Sequence, residues 1–122
     1  MCPNSLFLAP ITKYDILKYI SSLDTNKSTK SDCPSVKFIK LSSEIISPII
    51  ADIFNQCLME GIFPDSLKQA EVTPIYKKGD KSKACNWRPI SILSPFSKIF
   101  EKYLYDQINN FINKYKILYK FQ

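Results

Sequence analysis

Hydrophobic residues recur every three to four positions in three parts of the chain, a spacing that predicts amphipathic helices. The first part covers residues 13–23; Thr12 precedes it, and Asp15 stands where a capping box places its acid. The second part covers residues 42–61 and ends at Gly61, the residue type that most readily takes the left-handed conformation after a helix. Both patterns therefore predict helices with defined ends.

The 42–61 segment contains a proline, which limits where its helix can begin. Ser47 followed by Pro48 suits a serine N-cap with proline at the first helical position. We therefore expect the main body of the helix to start there, after a short turn. Its predicted apolar stripe consists of Ile49, Ile50, Ile53, Phe54, Cys57 and Leu58.

The third helix has the most regular pattern in the chain and is predicted to start at the Ser94-Pro95 cap. An apolar stripe of this regularity is usually the face that packs on a core, and we interpret it so. Its positions are Phe96, Ile99, Phe100, Tyr103, Leu104, Ile108, Phe111, Ile112 and Tyr115.

Between the second and third helices the pattern becomes that of extended chain. Residues 70–78 contain β-branched side chains, and Pro74 indicates an edge strand. Residues 87–93 are expected to return beside them, which makes a loose hairpin. Earlier in the chain, residues 24–35 are rich in turn formers, and residues 36–41 suit one or two helical turns. The predicted fold class is α+β: mainly helical, with a short antiparallel β-hairpin.

Missing residue types exclude several classes of site. The chain has no histidine, so neither a Ser-His-Asp triad nor a histidine-containing zinc site can form within it. Two glycines, Gly61 and Gly79, do not make a Gly-rich phosphate loop. No C-x-x-C pair is present, and we expect a reduced protein whose cysteines are mostly buried small side chains. These are Cys2, Cys33, Cys57 and Cys85.

No signal-peptide pattern and no apolar run of membrane-spanning length is visible in the sequence. We therefore expect an intracellular protein, in the cytoplasm or the nucleus, with no membrane partner.

The positive charge is concentrated in one part of the chain. Residues 1–76 hold seven lysines against eight acids, whereas residues 77–88 hold four lysines and the only arginine, Arg88, against one acid. Residues 89–122 hold five lysines against two acids. Concentrated cationic charge indicates an anionic partner, either nucleic acid or nucleotide phosphate. A solvated lysine loop is the alternative that charge alone leaves open.

Several short motifs stand in a specific order. The helix end N-x-x-L-x-x-G-x-F-P is followed by V-x-P-I-x-K-K-G-D, then by W-R-P-I-S and S-K-x-x-E-K. This order resembles the N-terminal fingers region of the reverse transcriptases of non-LTR (LINE- or jockey-type) retrotransposons. Upstream, "ITKYDILKYISSLDTNKS" resembles the helix and N-K-S turn of the same family. The resemblance covers residues 5–122.

The resemblance implies that residues 1–122 are a single partial domain, the fingers part of a right-hand polymerase whose palm and thumb lie elsewhere. Two departures from the family pattern accompany it. Lys30 and Cys33 stand where the family has the glycines of a Gly-x-Asp-Gly turn, so we expect backbone strain if those positions need a positive φ. The second departure is that the sequence stops at "KFQ", where the family pattern would continue with Q-F-G-F-R and then the palm.

By resemblance, Lys77 and Arg88 match the two fingers cations that contact the triphosphate of the incoming dNTP. The chemistry suits them, because arginine offers a planar fork for bidentate phosphate contact and lysine a mobile point charge. The alternative for Arg88 is that it stacks on a ring or caps a helix.

Four further residues near the hairpin tip are candidate nucleic-acid contacts. Lys78, Lys81 and Lys83 are expected to approach template or triphosphate non-specifically. Trp87, the only tryptophan, is a candidate for stacking on a base, although we expect it to pack beneath the hairpin.

Catalysis in this family depends on metal-bound carboxylates of the palm. No Asp-Asp pair occurs in the sequence, so we expect no catalytic residue, no metal site and no activity in this chain alone, with Mg²⁺ used only by the full-length enzyme. Its partners there would be RNA template, DNA primer, dNTP and the palm. The alternatives are a small basic RNA- or single-stranded-DNA-binding remnant, and a fragment without independent function.

Overall fold

The computed structural model describes residues 5–118, in which five helices and one two-stranded antiparallel sheet follow one another. No helix in this range has the length and apolar content needed to cross a membrane. The α+β prediction is confirmed. In chain order the elements are α1 (Lys13–Ser22), α2 (Val36–Leu41), α3 (Ser43–Glu60), α4 (Asp65–Lys68), β1 (Glu71–Tyr76), a 3₁₀ turn (Ala84–Asn86), β2 (Trp87–Ile92) and α5 (Pro95–Tyr115).

Side-chain caps set the helix starts as the sequence predicts. Thr12 accepts a hydrogen bond from the Asp15 amide, and the Asp15 carboxylate accepts one from the Thr12 amide at 2.9 Å, which completes the capping box of α1. At α5 the Ser94 hydroxyl accepts from the amides of Phe96 and Ser97, with Pro95 at the first helical position.

Helix α3 corrects the prediction that Pro48 begins a helix. The helix already starts at Ser43 and continues through Pro48. Proline lacks the amide that would bond the Glu44 carbonyl, so one helical hydrogen bond is missing in the second turn. In the same turn the Ser47 hydroxyl donates to the Ser43 carbonyl at 2.6 Å. The predicted end is confirmed: Gly61 is left-handed, with φ +66°.

The core lies between α1, α3 and α5. Ile16 and Ile20 of α1 are almost wholly buried against this cluster, and Phe54 of α3 stacks on Phe100 of α5 with ring centroids 4.4 Å apart. Burying side chains of this size contributes about 1.5–3 kcal/mol each before entropy is subtracted. This three-helix body is therefore the stable part of the chain.

The apolar stripes of α3 and α5 are only partly buried, which corrects the core prediction. Ile49 and Ile53 of α3 are 57% and 51% exposed, because the buried face of the helix is centred on Ser47, Ile50, Ala51 and Phe54. In α5 the buried residues are confined to its first half, and Ile108 is exposed. The helical period predicted a continuous apolar face on each helix, but it did not indicate how much of that face the neighbouring helices cover.

The hairpin of β1 and β2 projects from this body. Its register pairs Glu71 with Ile92 at the base and Tyr76 with Trp87 at the outer end. Neither strand contains a buried residue. An exposed two-stranded hairpin is marginally stable by itself, so its position depends on its attachments to the helical body.

A polar clasp joins α1 to α5. The Tyr19 hydroxyl donates to the Asp106 carboxylate at 3.0 Å, and Lys102 forms an ion pair with the same carboxylate at 2.9 Å. Burial, reinforced by the Asp106 hydrogen bond, raises the pKa of Tyr19 to about 12 from 10.0. The folded state therefore holds the phenol proton to a higher pH than the unfolded state does.

Replacing Tyr19 with Phe should remove part of the alkaline sensitivity of the fold. A raised phenol pKa contributes stability that is complete below pH 10 and is lost as the pH rises towards about 12. The difference in free energy of unfolding between the unsubstituted chain and Tyr19→Phe, from urea denaturation followed by circular dichroism, should shrink across that window. A difference that stays constant would contradict the assignment.

Candidate phosphate-binding hairpin

The register of the hairpin places two predicted cations on the same face. Directly opposed residues of an antiparallel pair point to the same side, and Arg88 is opposite Ile75. The Lys77 amide donates to the Asn86 carbonyl at 2.8 Å, which extends the pairing by one step beyond Tyr76 and Trp87. Lys77 directly follows β1, two residues after Ile75, the partner of Arg88, so an extended continuation of the strand places it on the same side as Arg88.

Both cationic side chains are exposed and free of acidic partners. Within residues 5–118 the ion pairs join Lys30 to Asp32, Lys68 to Asp65 and Lys102 to Asp106, and neither Lys77 nor Arg88 takes part in them. No side-chain hydrogen bond from either residue forms within the same range. Their donors are therefore available to an external anion.

Two prolines stiffen the strands without disturbing the pairing. Pro74 lies directly opposite Pro89. Hydrogen-bonded and non-hydrogen-bonded pairs alternate along an antiparallel ladder, and the Lys77–Asn86 pair is hydrogen-bonded. Pro74 and Pro89 lie three steps from that pair, at a non-hydrogen-bonded position. Their missing amides thus cost no ladder bond, and the fixed φ of Pro89 restrains the backbone beside Arg88.

Side chains of the hairpin itself fold its tip, residues 77–86. The Asn86 amide donates to the Asp80 carbonyl at 2.7 Å, and the Tyr76 hydroxyl donates to the Gly79 carbonyl. Gly79 has φ +91°, and a Cβ at this position would lie 2.9 Å from the Asn86 side-chain nitrogen. These contacts join the two sides of the tip between Lys77 and Arg88.

Tyr76 and Asn86 were not predicted as structural supports of the candidate site. Each adjoins a predicted site residue, Lys77 and Trp87 respectively. Their roles follow from the cross-strand register, which the sequence pattern did not specify.

Trp87 does not pack beneath the hairpin, so this prediction was wrong. Its side chain is 37% exposed on the face opposite Arg88 and meets Tyr76 edge-on at 5.7 Å. The indole nitrogen donates to the Lys81 carbonyl at 2.9 Å, and the Lys81 ammonium lies 5.4 Å from the Tyr76 ring. The ring remains exposed because no described helix covers this face.

The remaining tip cations, Lys78, Lys81 and Lys83, are exposed. The tip also contains one acid, Asp80, whose carboxylate accepts a hydrogen bond from the Ser82 amide at 2.9 Å. This bond lowers the pKa of Asp80 below its usual value. Asp80 therefore supports the turn. Among the described residues, no ion pair involves Lys78, Lys81 or Lys83.

The loop over residues 24–35 is tied to the base of the hairpin. The Ser31 amide donates to the Glu71 carboxylate at 2.9 Å, which lowers the pKa of Glu71. The expected strain at Lys30 and Cys33 is absent, because Lys116 is the one non-glycine residue with positive φ in the part of the chain described. A turn closed by the Cys33 amide on the Lys30 carbonyl replaces the glycine turn.

The cysteine prediction is wrong for the described positions. Cys85 is exposed at the hairpin tip, and Cys33 and Cys57 are half-buried. Cys2 lies outside the described residues.

Acidic side chains are dispersed through residues 5–118, which contain no group of three or more acids and cysteines arranged to hold a metal ion. The described residues therefore do not fit the Mg²⁺ site that polymerase chemistry requires.

Replacing Gly79 with Ala should open the hairpin tip. The added methyl group meets Asn86 at a backbone conformation that strains any other residue, at a local cost of about 1–3 kcal/mol. Trp87 is the only tryptophan, so its fluorescence should shift towards that of a solvated indole, while far-UV circular dichroism keeps the helical signal. Lys78→Ala is the matched control and should leave the emission unchanged; an unaltered Gly79→Ala spectrum would refute the tip assignment.

Three known proteins are similar to this sequence. It is 30% identical over 115 residues to the probable RNA-directed DNA polymerase from transposon BS of Drosophila melanogaster, covering 93% of this chain and 13% of that protein. It is 29% identical over 119 residues to the RNA-directed DNA polymerase from mobile element jockey of the same organism, covering 97% and 13%. It is 29% identical over 93 residues to the uncharacterized 149 kDa protein of transposon TX1 of Xenopus laevis, covering 76% and 7%.

No protein-family model matches the sequence. The chain spans 13% or less of the length of these three relatives, while they match most of its own residues. The resemblance inferred from the ordered motifs is confirmed: this chain is related to the RNA-directed DNA polymerases, or reverse transcriptases, of non-LTR mobile elements.

Proposed function

We propose that this chain is the fingers part of an RNA-directed DNA polymerase, where it contributes contacts to the incoming dNTP and to the template. The observation that carries the proposal is the position of Lys77 and Arg88, exposed and unpaired on one face of a tip-locked hairpin. Two cations so arranged suit a polyanionic triphosphate, and the relatives are named as enzymes that use one.

The two side chains have different parts in this proposal. Arg88 presents a planar, permanently charged fork to two phosphate oxygens, on backbone that Pro89 restrains. Lys77, at the start of the tip loop, has an ammonium group on a flexible stem that can adjust to the position of the phosphate charge. Because neither has a competing carboxylate among the described residues, binding an anion breaks no ion pair there.

Polymerisation would be completed by another part of the enzyme. Two Mg²⁺ ions commonly activate the attacking oxygen and stabilise the leaving one in such reactions. Residues 5–118 bring together no carboxylate cluster for them, so we propose that this chain does not polymerise alone and that a palm subdomain supplies the metal site.

Removing either cation should weaken triphosphate binding. Loss of a charge-assisted contact at an exposed site costs about 1–2 kcal/mol, so Lys77→Ala and Arg88→Ala should each raise the Kd for dTTP about fivefold to thirtyfold. Equilibrium dialysis at low salt with the full chain measures this.

Two matched variants make the result specific. Lys37→Ala removes an exposed lysine from α2 and should bind dTTP like the parent chain. Arg88→Lys keeps the charge but loses the fork, so it should recover only part of the affinity. Equal weakening by Lys37→Ala and Lys77→Ala would show that net charge, and no specific site, attracts the nucleotide.

Nucleic-acid binding by the tip is a second candidate function. The exposed Lys78, Lys81 and Lys83 lie at the same end of the hairpin as the exposed Trp87 ring. Cations that follow a phosphate backbone, combined with a ring on which bases stack, are typical of single-strand binding surfaces. This function would persist in a fragment without a palm.

The tip lysines should account for part of the salt dependence of binding to single-stranded oligo(dT). Each phosphate contact to a single strand contributes about −0.7 to the slope of log K against log salt concentration. The triple variant Lys78→Ala, Lys81→Ala, Lys83→Ala should therefore reduce the slope by about 2 in fluorescence anisotropy titrations.

The charge-matched control removes Lys13, Lys18 and Lys37, which are exposed on α1 and α2. It should leave the salt slope unchanged. A similar reduction in both triple variants would eliminate a localised nucleic-acid site at the tip.

A further inference from the structure

Helix α3 presents an apolar stripe to solvent on the side opposite the core. Ile45, Ile49 and Ile53 follow one another at intervals of four residues and are 75%, 57% and 51% exposed. Residues at this spacing lie on the same side of a helix, and these three extend about 12 Å along its axis. Isoleucine side chains exposed in a row, with the helix's other face already buried, indicate a surface that another apolar element covers.

A hollow adjoins one end of this stripe. It has a volume of about 290 Å³ and lies between α3, α4 and the start of α5. Its lining is almost wholly apolar and includes Ile53, Phe54, Pro64, Leu67 and Phe96. If a helix binds along the stripe, one of its apolar side chains can insert into this hollow, as anchor residues do in helix-in-groove complexes.

The charge around the stripe differs in sign from that of the chain as a whole. The chain carries a net charge of +6, yet α3 itself, from Ser43 to Glu60, has three acids and no lysine or arginine. Asp52 lies three residues after Ile49 and seven after Ile45, so it borders the stripe, and Glu44 immediately precedes Ile45 at the N-terminal end of the stripe. An element seated there therefore meets a negatively charged border.

We infer that the α3 stripe and its adjoining hollow form a docking site for a cationic amphipathic helix of a partner protein. The partner helix places leucine-like side chains on Ile45, Ile49 and Ile53, with one anchor in the hollow. Its flanking lysines or arginines lie beside Glu44 and Asp52. Charge complementarity at such a border selects the partner and speeds its association. This inference is independent of the proposed nucleotide contacts, because it uses none of the residues of the hairpin.

Two designed peptides test the site with the full 122-residue chain. Both have about 18 residues and the same leucine stripe; one carries lysines beside the stripe and the other glutamates. The local acidic border predicts that the lysine peptide binds at least about tenfold more tightly in fluorescence anisotropy. The net charge of the chain predicts the reverse order, so the two explanations give opposite results.

Substitutions locate the binding. Ile49→Asp should weaken the lysine peptide at least about tenfold, because it places a charge in the middle of the apolar contact. The double substitution Glu44→Lys, Asp52→Lys should reverse the peptide preference while the apolar stripe stays intact. Tyr105→Asp, at an exposed position on α5, is the matched control and should bind like the parent. Far-UV circular dichroism of each variant verifies that the helices are retained.

The inference is overturned if the glutamate peptide binds as tightly as the lysine peptide, if neither binds, or if Tyr105→Asp and Ile49→Asp weaken binding equally. It is also overturned if sedimentation equilibrium shows that the chain self-associates through the stripe, with Ile49→Asp restoring the monomer. In that case a second copy of the chain is the occupant.

Discussion

The hydrogen bond from the Lys77 amide to the Asn86 carbonyl is the contact on which the candidate site depends. It continues the antiparallel register past the last strand pair and so places Lys77 on the same side as Arg88. A one-residue slip of the register would turn Arg88 to the opposite face. The contacts of the Asn86, Tyr76 and Trp87 side chains within the tip all favour the observed register.

The described chain consists of a packed helical body and an exposed hairpin. Helices α1, α3 and α5 bury the aromatic and isoleucine core, whereas both faces of the hairpin remain open. Stability therefore comes mainly from the body, and the hairpin presents charge on one face and an aromatic pair on the other. Elements with few buried contacts are generally among the less stable parts of a fold.

The sequence predicted most elements of the fold, because helix periodicity, caps and the change to extended chain are local signals. The predictions were wrong at positions where tertiary packing overrides the local sequence signal. Ser47-Pro48 has the composition of a helix start, yet α3 begins earlier and includes the proline. Ile49 and Ile53 fit the helical period, but the neighbouring helices cover only the side that bears Ala51 and Phe54. Trp87 remains exposed because nothing in the described chain covers that side of the hairpin.

The candidate site was predictable as a set of residues through family resemblance, but its geometry was not. The loop between the strands has ten residues, 77–86, and its length alone does not fix which residues face each other. Lys77, Arg88 and Trp87 could each have taken either face until the register was known. The Asn86 side chain lies close to Gly79 and donates to the Asp80 carbonyl, contacts that composition does not reveal.

The central claim, that Lys77 and Arg88 act together on one anion, is tested most directly by NMR titration of the ¹⁵N-labelled chain with dTTP. The Arg88 side-chain Nε–H and the Lys77 amide should shift together with one shared Kd. The Trp87 indole N–H, on the opposite face and bonded to the Lys81 carbonyl, should move little. Shifts centred on Trp87, or at Arg88 without Lys77, would contradict it.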